Sequence, residues 1–263
     1  MSKEKIKLGS MEIALLSSLE HDKKATFTFS DAYEILSYTK RQVVRNVLSR
    51  LARKGRIKRI KKGLYLLVPF RFKDWGEHEF SLAPLLAKEY YISFWSALSF
   101  WSLTEQMPRQ IYVVTKYPIK SRVFEEVNYK FVTLSKRYFF GFLETEIQGR
   151  KINLASREKT VLDCLLHPEY CGGIGEVAKA IRDFWKDLDW KKIKEYLKQM
   201  NNSAVARRLY YILYFLKLKK LILILGKKEF TGFRRLDPTA SKKGEYNKDF
   251  GLIINSNLEE EIL

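Results

Sequence analysis

TKRQVVRNVLSRLARKGRIKRIKKGLYLL, from Thr39 to Leu67, is the stretch that decides the fold. Val44, Val47, Leu48 and Leu51 recur at i, i+3, i+4 and i+7, which puts one apolar stripe on a helix. Gly55 follows as a C′ glycine would. Arg56–Ile60 and Leu64–Val68 then read as two strands joined around Lys61-Lys62-Gly63. Eleven basic residues and no acidic one lie between Lys40 and Lys62. A solvated helix usually mixes charge signs, so this tract asks for a polyanion. A basic helix, a glycine and a basic ribbon have the form of a recognition helix and wing, with double-stranded DNA as the first partner to consider.

Ser10 is expected to cap a first helix with Ile13, Leu15, Leu16 and Leu19 inward. His21–Lys24 makes a polar break. Ser30 is expected to cap a second helix, with Ala32, Tyr33, Ile35 and Leu36 as core, and Thr39 to cap the third. The expected domain is a winged helix-turn-helix over residues 1–70, with its recognition helix at 39–54 and its wing at 56–68.

With the apolar stripe of the third helix inward, the 100° step fixes the outer face. Gln42, Asn46, Ser49 and Arg53 lie there, flanked by Arg45 and Arg50. Gln and Asn pair bidentately with adenine, and Arg with guanine. Residues near the helix start reach deepest into the major groove, so Gln42, Arg45 and Asn46 are assigned to base readout. Thr39, Lys40 and Arg41 fall at the flank, where phosphate is the contact. Lys58, Arg59, Lys61 and Lys62 belong to the wing, on the backbone or in a minor groove.

The charge is uneven. The chain of 263 residues has a net charge of +19. Residues 1–70 hold 16 Lys/Arg and 6 Asp/Glu; the other 193 hold 33 and 24. Such a field attracts polyanions and speeds encounter without specifying a fold. Hydrophobic residues make up 46% and aromatics 14%, enough for a packed core. The start lacks a secretory pattern, and two cysteines make no disulfide framework, so a cytoplasmic setting is expected. The apolar stretch Leu209–Leu225 is cut by Lys217, Lys219 and Lys220; it reads as a buried helix and a following strand rather than a membrane span.

Residues 71–88 read as a connector and 89–263 as a larger α+β domain with a small sheet and a helical half. Ser93 caps an expected helix to Leu103. Ile111–Thr115 is an expected strand, and short β-runs between Arg122 and Leu154 are separated by Asn128, Gly141 and Gly149. Ser156 caps a helix to Leu166. Further helices are marked by Val177, Ile181, Phe184 and Leu188; by Ile193, Leu197 and Met200; and by Val205, Leu209, Ile212 and Leu216. Phe250–Ile254 is a late strand.

Catalytic groupings are weak. Glu158, Lys159, Thr160 and Asp163 sit in the first turns of a helix, where a Glu complements the dipole. Cys164, His167 and Cys171 offer three soft ligands where structural zinc takes four, and His21 and His78 are distant in sequence. Gly172-Gly173-Ile174-Gly175 lacks the Lys-Ser/Thr ending of a P-loop and reads as a turn. Phe94, Trp95, Phe100 and Trp101 have the spacing of core. No enzyme activity, metal or cofactor is expected.

Three further runs carry a resemblance. YYISFWSALSFWSLTEQMPRQIYVVT (Tyr90–Thr115), KINLASREKTVLDCLLHPEYCGGIGEVAKAI (Lys151–Ile181) and AVARRLYYILYFL (Ala204–Leu216) resemble the AbiEi family, the antitoxins of AbiE-type, type IV toxin–antitoxin systems. The winged-helix start ending in GRIKRIKKGLYLL is similar to that family's N-terminal domain. The resemblance implies an autorepressor that binds inverted repeats in its own promoter, as a dimer or as cooperative monomers. It also implies antitoxin activity of the larger domain against a nucleotidyltransferase-like toxin, without a stable complex between them. The alternatives are a free-standing winged-helix regulator whose second domain senses a ligand or dimerises, and an interaction module that blocks a toxin directly.

Overall fold

Glu12 stands at i−3 and i−4 from Leu15 and Leu16, on the same helical face, and its burial organises the N-terminal part of the fold. In the computed structural model, which describes residues 7–22, 24, 26–68, 79–124, 127–226 and 228–262, the chain divides into two compact units, Met1–Glu77 and His78–Leu263.

The first unit runs α1 (Ser10–His21), β1 (Thr26–Thr28), α2 (Phe29–Ile35), α3 (Arg41–Arg53), β2 (Ile57–Lys61) and β3 (Leu64–Leu67). Its core joins Leu15, Leu16 and Leu19 of α1 to Phe27, Ala32 and the α3 stripe Val44, Val47, Leu48 and Leu51. Ser37 and Tyr38 take left-handed backbone, which turns the chain sharply between α2 and α3. Gly63, at φ +77°, makes the tight turn of the wing hairpin.

Several local expectations need correction. Helix α1 is capped by Gly9 rather than Ser10, because the Glu12 carboxylate accepts from Gly9 N–H at 2.9 Å. Ile13 faces solvent, 50% exposed. Helix α2 is capped by Thr28 rather than Ser30: Thr28 Oγ1 accepts from Asp31 N–H, and the Asp31 carboxylate accepts from Thr28 N–H, a reciprocal box. Helix α3 is capped by Lys40 rather than Thr39. Strand β1 was not foreseen. It pairs antiparallel with β3 and completes a sheet of order β1-β3-β2. Three residues are too few for an alternation signal to show. Residues 1–6 and Lys23 of the polar segments lie outside the described residues.

The second unit is larger. Residues 71–78 of the expected connector lie outside the described residues; Phe80, Ser81, Leu82 and Ala83, also within it, are buried. A 3₁₀ turn (Glu79–Leu82) leads into α4 (Ala83–Leu86), whose Ala83 and Leu86 are core. Then come β4 (Tyr90–Ile92), α5 (Phe94–Phe100), β5 (Gln110–Thr115), β6 (Arg122–Phe124), β7 (Val127–Thr133), β8 (Phe142–Ile147) and β9 (Arg150–Ala155). These strands form one mixed sheet of order β6-β7-β5-β4-β9-β8, larger than the small sheet expected. Asn128 lies inside β7, paired with Gln110 of β5, rather than between strands. The helical half follows: α6 (Arg157–Leu166), α7 (Ile174–Phe184), α8 (Trp190–Met200), α9 (Ser203–Phe215) and α10 (Lys219–Leu225). Ser156 caps α6 by accepting from Lys159 N–H. The strand expected after α9 is instead helix α10. Lys217 turns the chain in left-handed backbone, and α10 leaves Leu223 80% exposed while burying Leu221 and Leu225. The chain closes with β10 (Arg234–Arg235), β11 (Glu245–Asn247), β12 (Leu252–Ile254) and α11 (Leu258–Ile262). Strand β12 lies between β10 and β11 in a second small sheet. Among the described residues no helix is long and apolar enough to cross a membrane.

Candidate nucleic-acid interface

Burying Val44, Val47, Leu48 and Leu51 leaves the other face of α3 in solvent, and Arg41, Gln42, Arg45, Asn46, Ser49, Arg50 and Arg53 are all exposed there. Gln42 Nε2 donates to Asn46 Oδ1 at 3.1 Å, one turn apart. The pair is held as a unit, with the Gln42 carbonyl and the Asn46 amide N–H groups left to face a base edge. The Arg41 guanidinium lies 5.8 Å from the Tyr33 ring centroid, a cation–π contact that steadies the start of the helix.

Between α3 and the wing lies a cleft of about 640 Å³. Arg41, Arg45, Ser49 and Arg53 line it from the helix, and Arg59, Lys62 and Gly63 from the hairpin. Its floor is Phe29, Leu48, Ala52 and Tyr65. Phe27 stacks beneath Tyr65 at 5.5 Å between centroids. Five cations and no carboxylate therefore converge on one concavity with a low-dielectric floor, an arrangement that focuses positive potential.

The structure thus brings six of the sequence-derived residues together: Arg41, Arg45, Ser49, Arg53, Arg59 and Lys62. Gln42 and Asn46 sit on the adjoining exposed face. Thr39 and Lys40 lie just before the first turn of α3. Lys58 and Lys61 are half-buried on β2 and engaged within the protein. Arg50 is drawn aside: its Nε donates to Glu12 Oε1 at 2.9 Å, while Lys54 Nζ donates to Glu12 Oε2 at 2.6 Å. Burial alone would raise the Glu12 pKa. Lys54, the Gly9 amide and Arg50 outweigh that and bring it from 4.5 to about 2. Glu12 and the aromatic floor were missed in the sequence. A carboxylate at a position of the inward apolar stripe was the signal for the first; the floor left none.

In the second unit, the Glu158–Asp163 grouping is a closed internal network. Lys159 and Asp163 are fully buried and ion-paired. Asp163 accepts from Ser93 Oγ at 2.8 Å and from Tyr91 OH at 3.1 Å, and Lys159 Nζ reaches Tyr91 OH at 3.0 Å. Burial pushes the Lys159 ammonium pKa down against the pull of Asp163. Burial pushes the Tyr91 phenol well up, with Asp163 adding to it. These contacts tie β4 to α6. Glu158 pairs with Lys192 at 2.9 Å.

Cys164 and Cys171 are buried, and His167 Nδ1 faces Glu169 at 2.9 Å. His78 lies outside the described residues. The glycine-rich turn is already occupied by an anion of the chain: Asp237 accepts from Ile174 N–H at 2.9 Å, at the start of α7.

Comparisons agree with this geometry. Residues 15–68 match the family model described as "Transcriptional regulator, AbiEi antitoxin". These residues carry α3, the wing and the whole cleft, so the likeness to that family falls on the part of the chain that forms the basic face. No curated protein matches the chain. Among solved structures, the RV2827C protein from Mycobacterium tuberculosis aligns over 94% of this chain and 92% of that one, with a TM-score of 0.68 and 14% identity. At that identity the likeness is one of fold.

Proposed function

We propose that the chain is a DNA-binding autorepressor and the antitoxin of a type IV, AbiE-like toxin–antitoxin system. The observation that carries the DNA reading is the five-cation cleft between α3 and the wing. A duplex laid there places the Gln42–Asn46 pair and Arg45 toward base edges in the major groove. Arg53, Arg59 and Lys62 then neutralise backbone phosphates, with the wing on the backbone or in the minor groove. With Arg41 on phosphate at the flank, four neutralised phosphates give a salt slope of about −3.6 in log K against log salt.

The antitoxin half of the reading rests on the matched family and on the resemblance of the second unit. In it, residues 1–70 bind DNA and 89–263 counter a nucleotidyltransferase-like toxin encoded beside the chain. Inverted repeats in the promoter recruit two copies, as a dimer or as cooperative monomers. A reporter fused to the segment upstream of the chain's own gene should be silenced by the chain and released by Arg45→Ala. Growth arrested by the neighbouring gene's product should be rescued by residues 1–263. A reporter indifferent to the chain rejects the first half; arrest without rescue rejects the second.

A further inference from the structure

The positive charge of the second unit is gathered in one tract. Residues 196–248 hold 13 Lys/Arg and 3 Asp/Glu, whereas residues 78–263 as a whole hold 31 and 22. Outside the tract the unit is therefore close to neutral. The four arginines of the tract donate within the protein: Arg234 to the Phe233 carbonyl at 3.1 Å and Arg235 to the Ala240 carbonyl at 3.3 Å. Arg207 donates to the Thr231 carbonyl at 2.6 Å, the Gly251 carbonyl at 2.7 Å and the Gly232 carbonyl; Arg208 donates to the Leu165 carbonyl at 2.6 Å.

The lysines of the tract face water. Lys217, Lys219 and Lys220 at the α9–α10 junction, and Lys242, Lys243 and Lys248 around the β10–β12–β11 sheet, are exposed. None of these six is paired with a carboxylate among the described residues.

Aromatic rings stand among them. Tyr246 is 66% exposed, Tyr214 53% and Phe233 37%. Phe233 meets Tyr246 edge to face at 4.9 Å, and Tyr214 meets Phe250 at 5.2 Å. The Arg207 guanidinium brings both pairs to one place, because the carbonyls it binds, Gly232 and Gly251, adjoin Phe233 and Phe250. Rings that would gain from burial are instead held in water inside a basic field, which marks a binding surface.

We propose that this end of the second unit is a platform for single-stranded nucleic acid. Unpaired bases stack on Tyr246 and Tyr214, and the surrounding lysines neutralise the phosphates. A duplex keeps its base faces stacked within itself and has nothing to offer the rings; a single strand offers a π-face at every base. An acidic polypeptide would satisfy the charge and leave the rings unused.

The test uses the full chain carrying Arg45→Ala and Arg53→Ala, which weaken the first unit's own basic face. Anisotropy of labelled oligouridine and oligothymidine, each about 12 nucleotides long, is followed over a salt series. Tyr246→Ala with Tyr214→Ala is expected to weaken binding by about tenfold or more. Tyr246→Phe is expected to keep it, since the stacking face remains. Lys242→Glu with Lys243→Glu is expected to weaken binding and flatten the salt slope. Preference for oligouridine would assign a 2′-hydroxyl contact, and equal binding would assign stacking and phosphate alone; both sustain the platform. Binding unchanged by loss of the two rings, or polyglutamate binding as tightly as the oligonucleotides, would overturn it.

Discussion

Replacing Glu12 by Gln removes the one charge that holds Arg50 and Lys54 against α1. The carboxylate is 1% exposed and carries three donors: Arg50 Nε at 2.9 Å, Lys54 Nζ at 2.6 Å and Gly9 N–H at 2.9 Å. Its folded pKa is depressed from 4.5 to about 2. Fully converted, that difference is about 3 kcal/mol. The two cationic partners are 44% and 28% exposed, so solvent screening reduces the figure to about 1–2 kcal/mol. The sign follows from the depressed pKa. The stabilisation is fully present above pH 4.5 and drains away as pH falls toward 2, because the unfolded chain takes up the proton first.

Calorimetry on parent and Glu12→Gln should therefore show a gap of about 4–8 °C per kcal/mol in the first unit's transition near neutral pH. The gap should narrow as the buffer is taken below pH 4.5. Freed from Glu12, Arg50 and Lys54 turn to phosphate, so the variant should also bind random duplex more tightly, with a steeper salt slope. A variant as stable as the parent at pH 7, or a gap that holds constant through the acid range, would refute this role for Glu12.

Three further outcomes are expected. Arg45→Ala should cost about 1–3 kcal/mol on the cognate duplex and relax preference at one base pair; equal losses on random DNA would remove it from base readout. Lys62→Ala should weaken binding to every duplex alike and flatten the salt slope by about one, as read from affinities over a salt series. Asp163→Ala strands the fully buried Lys159 without its counter-charge and should destabilise the second unit by about 3–5 kcal/mol; urea unfolding followed by the fluorescence of Trp95, Trp101, Trp185 and Trp190 would read the loss.

Periodicity alone identified α3, since a stripe of four aliphatic residues on a basic helix admits few other readings. The wing followed from Gly63 and its flanking apolar residues. Strand β1 escaped because its partner, β3, is distant in sequence and only three residues pair. Helix caps were misplaced by one or two residues wherever a backbone amide was satisfied from N3, as at Gly9 and Thr28, and not by the residue before the first apolar position. In the second unit, β4 was hidden because Tyr90–Ile92 is buried on both faces and shows no alternation. Outward side chains of α3 followed from the helical step. Their grouping into one cleft with Arg59 and Lys62 depends on how the hairpin folds back, which no local pattern encodes. Arg50 illustrates the same limit: it lies on the outer face by angle, yet a carboxylate 38 residues away draws it aside.

The most direct measurement is anisotropy of the purified chain with the duplex from upstream of its own gene, beside a scrambled duplex of equal length, over a salt series. Binding to the upstream duplex should survive near-physiological salt while the scrambled one is lost, since only base contacts separate the two. Equal and equally salt-steep binding to both would contradict sequence-specific recognition by α3 and leave the cleft a general polyanion surface.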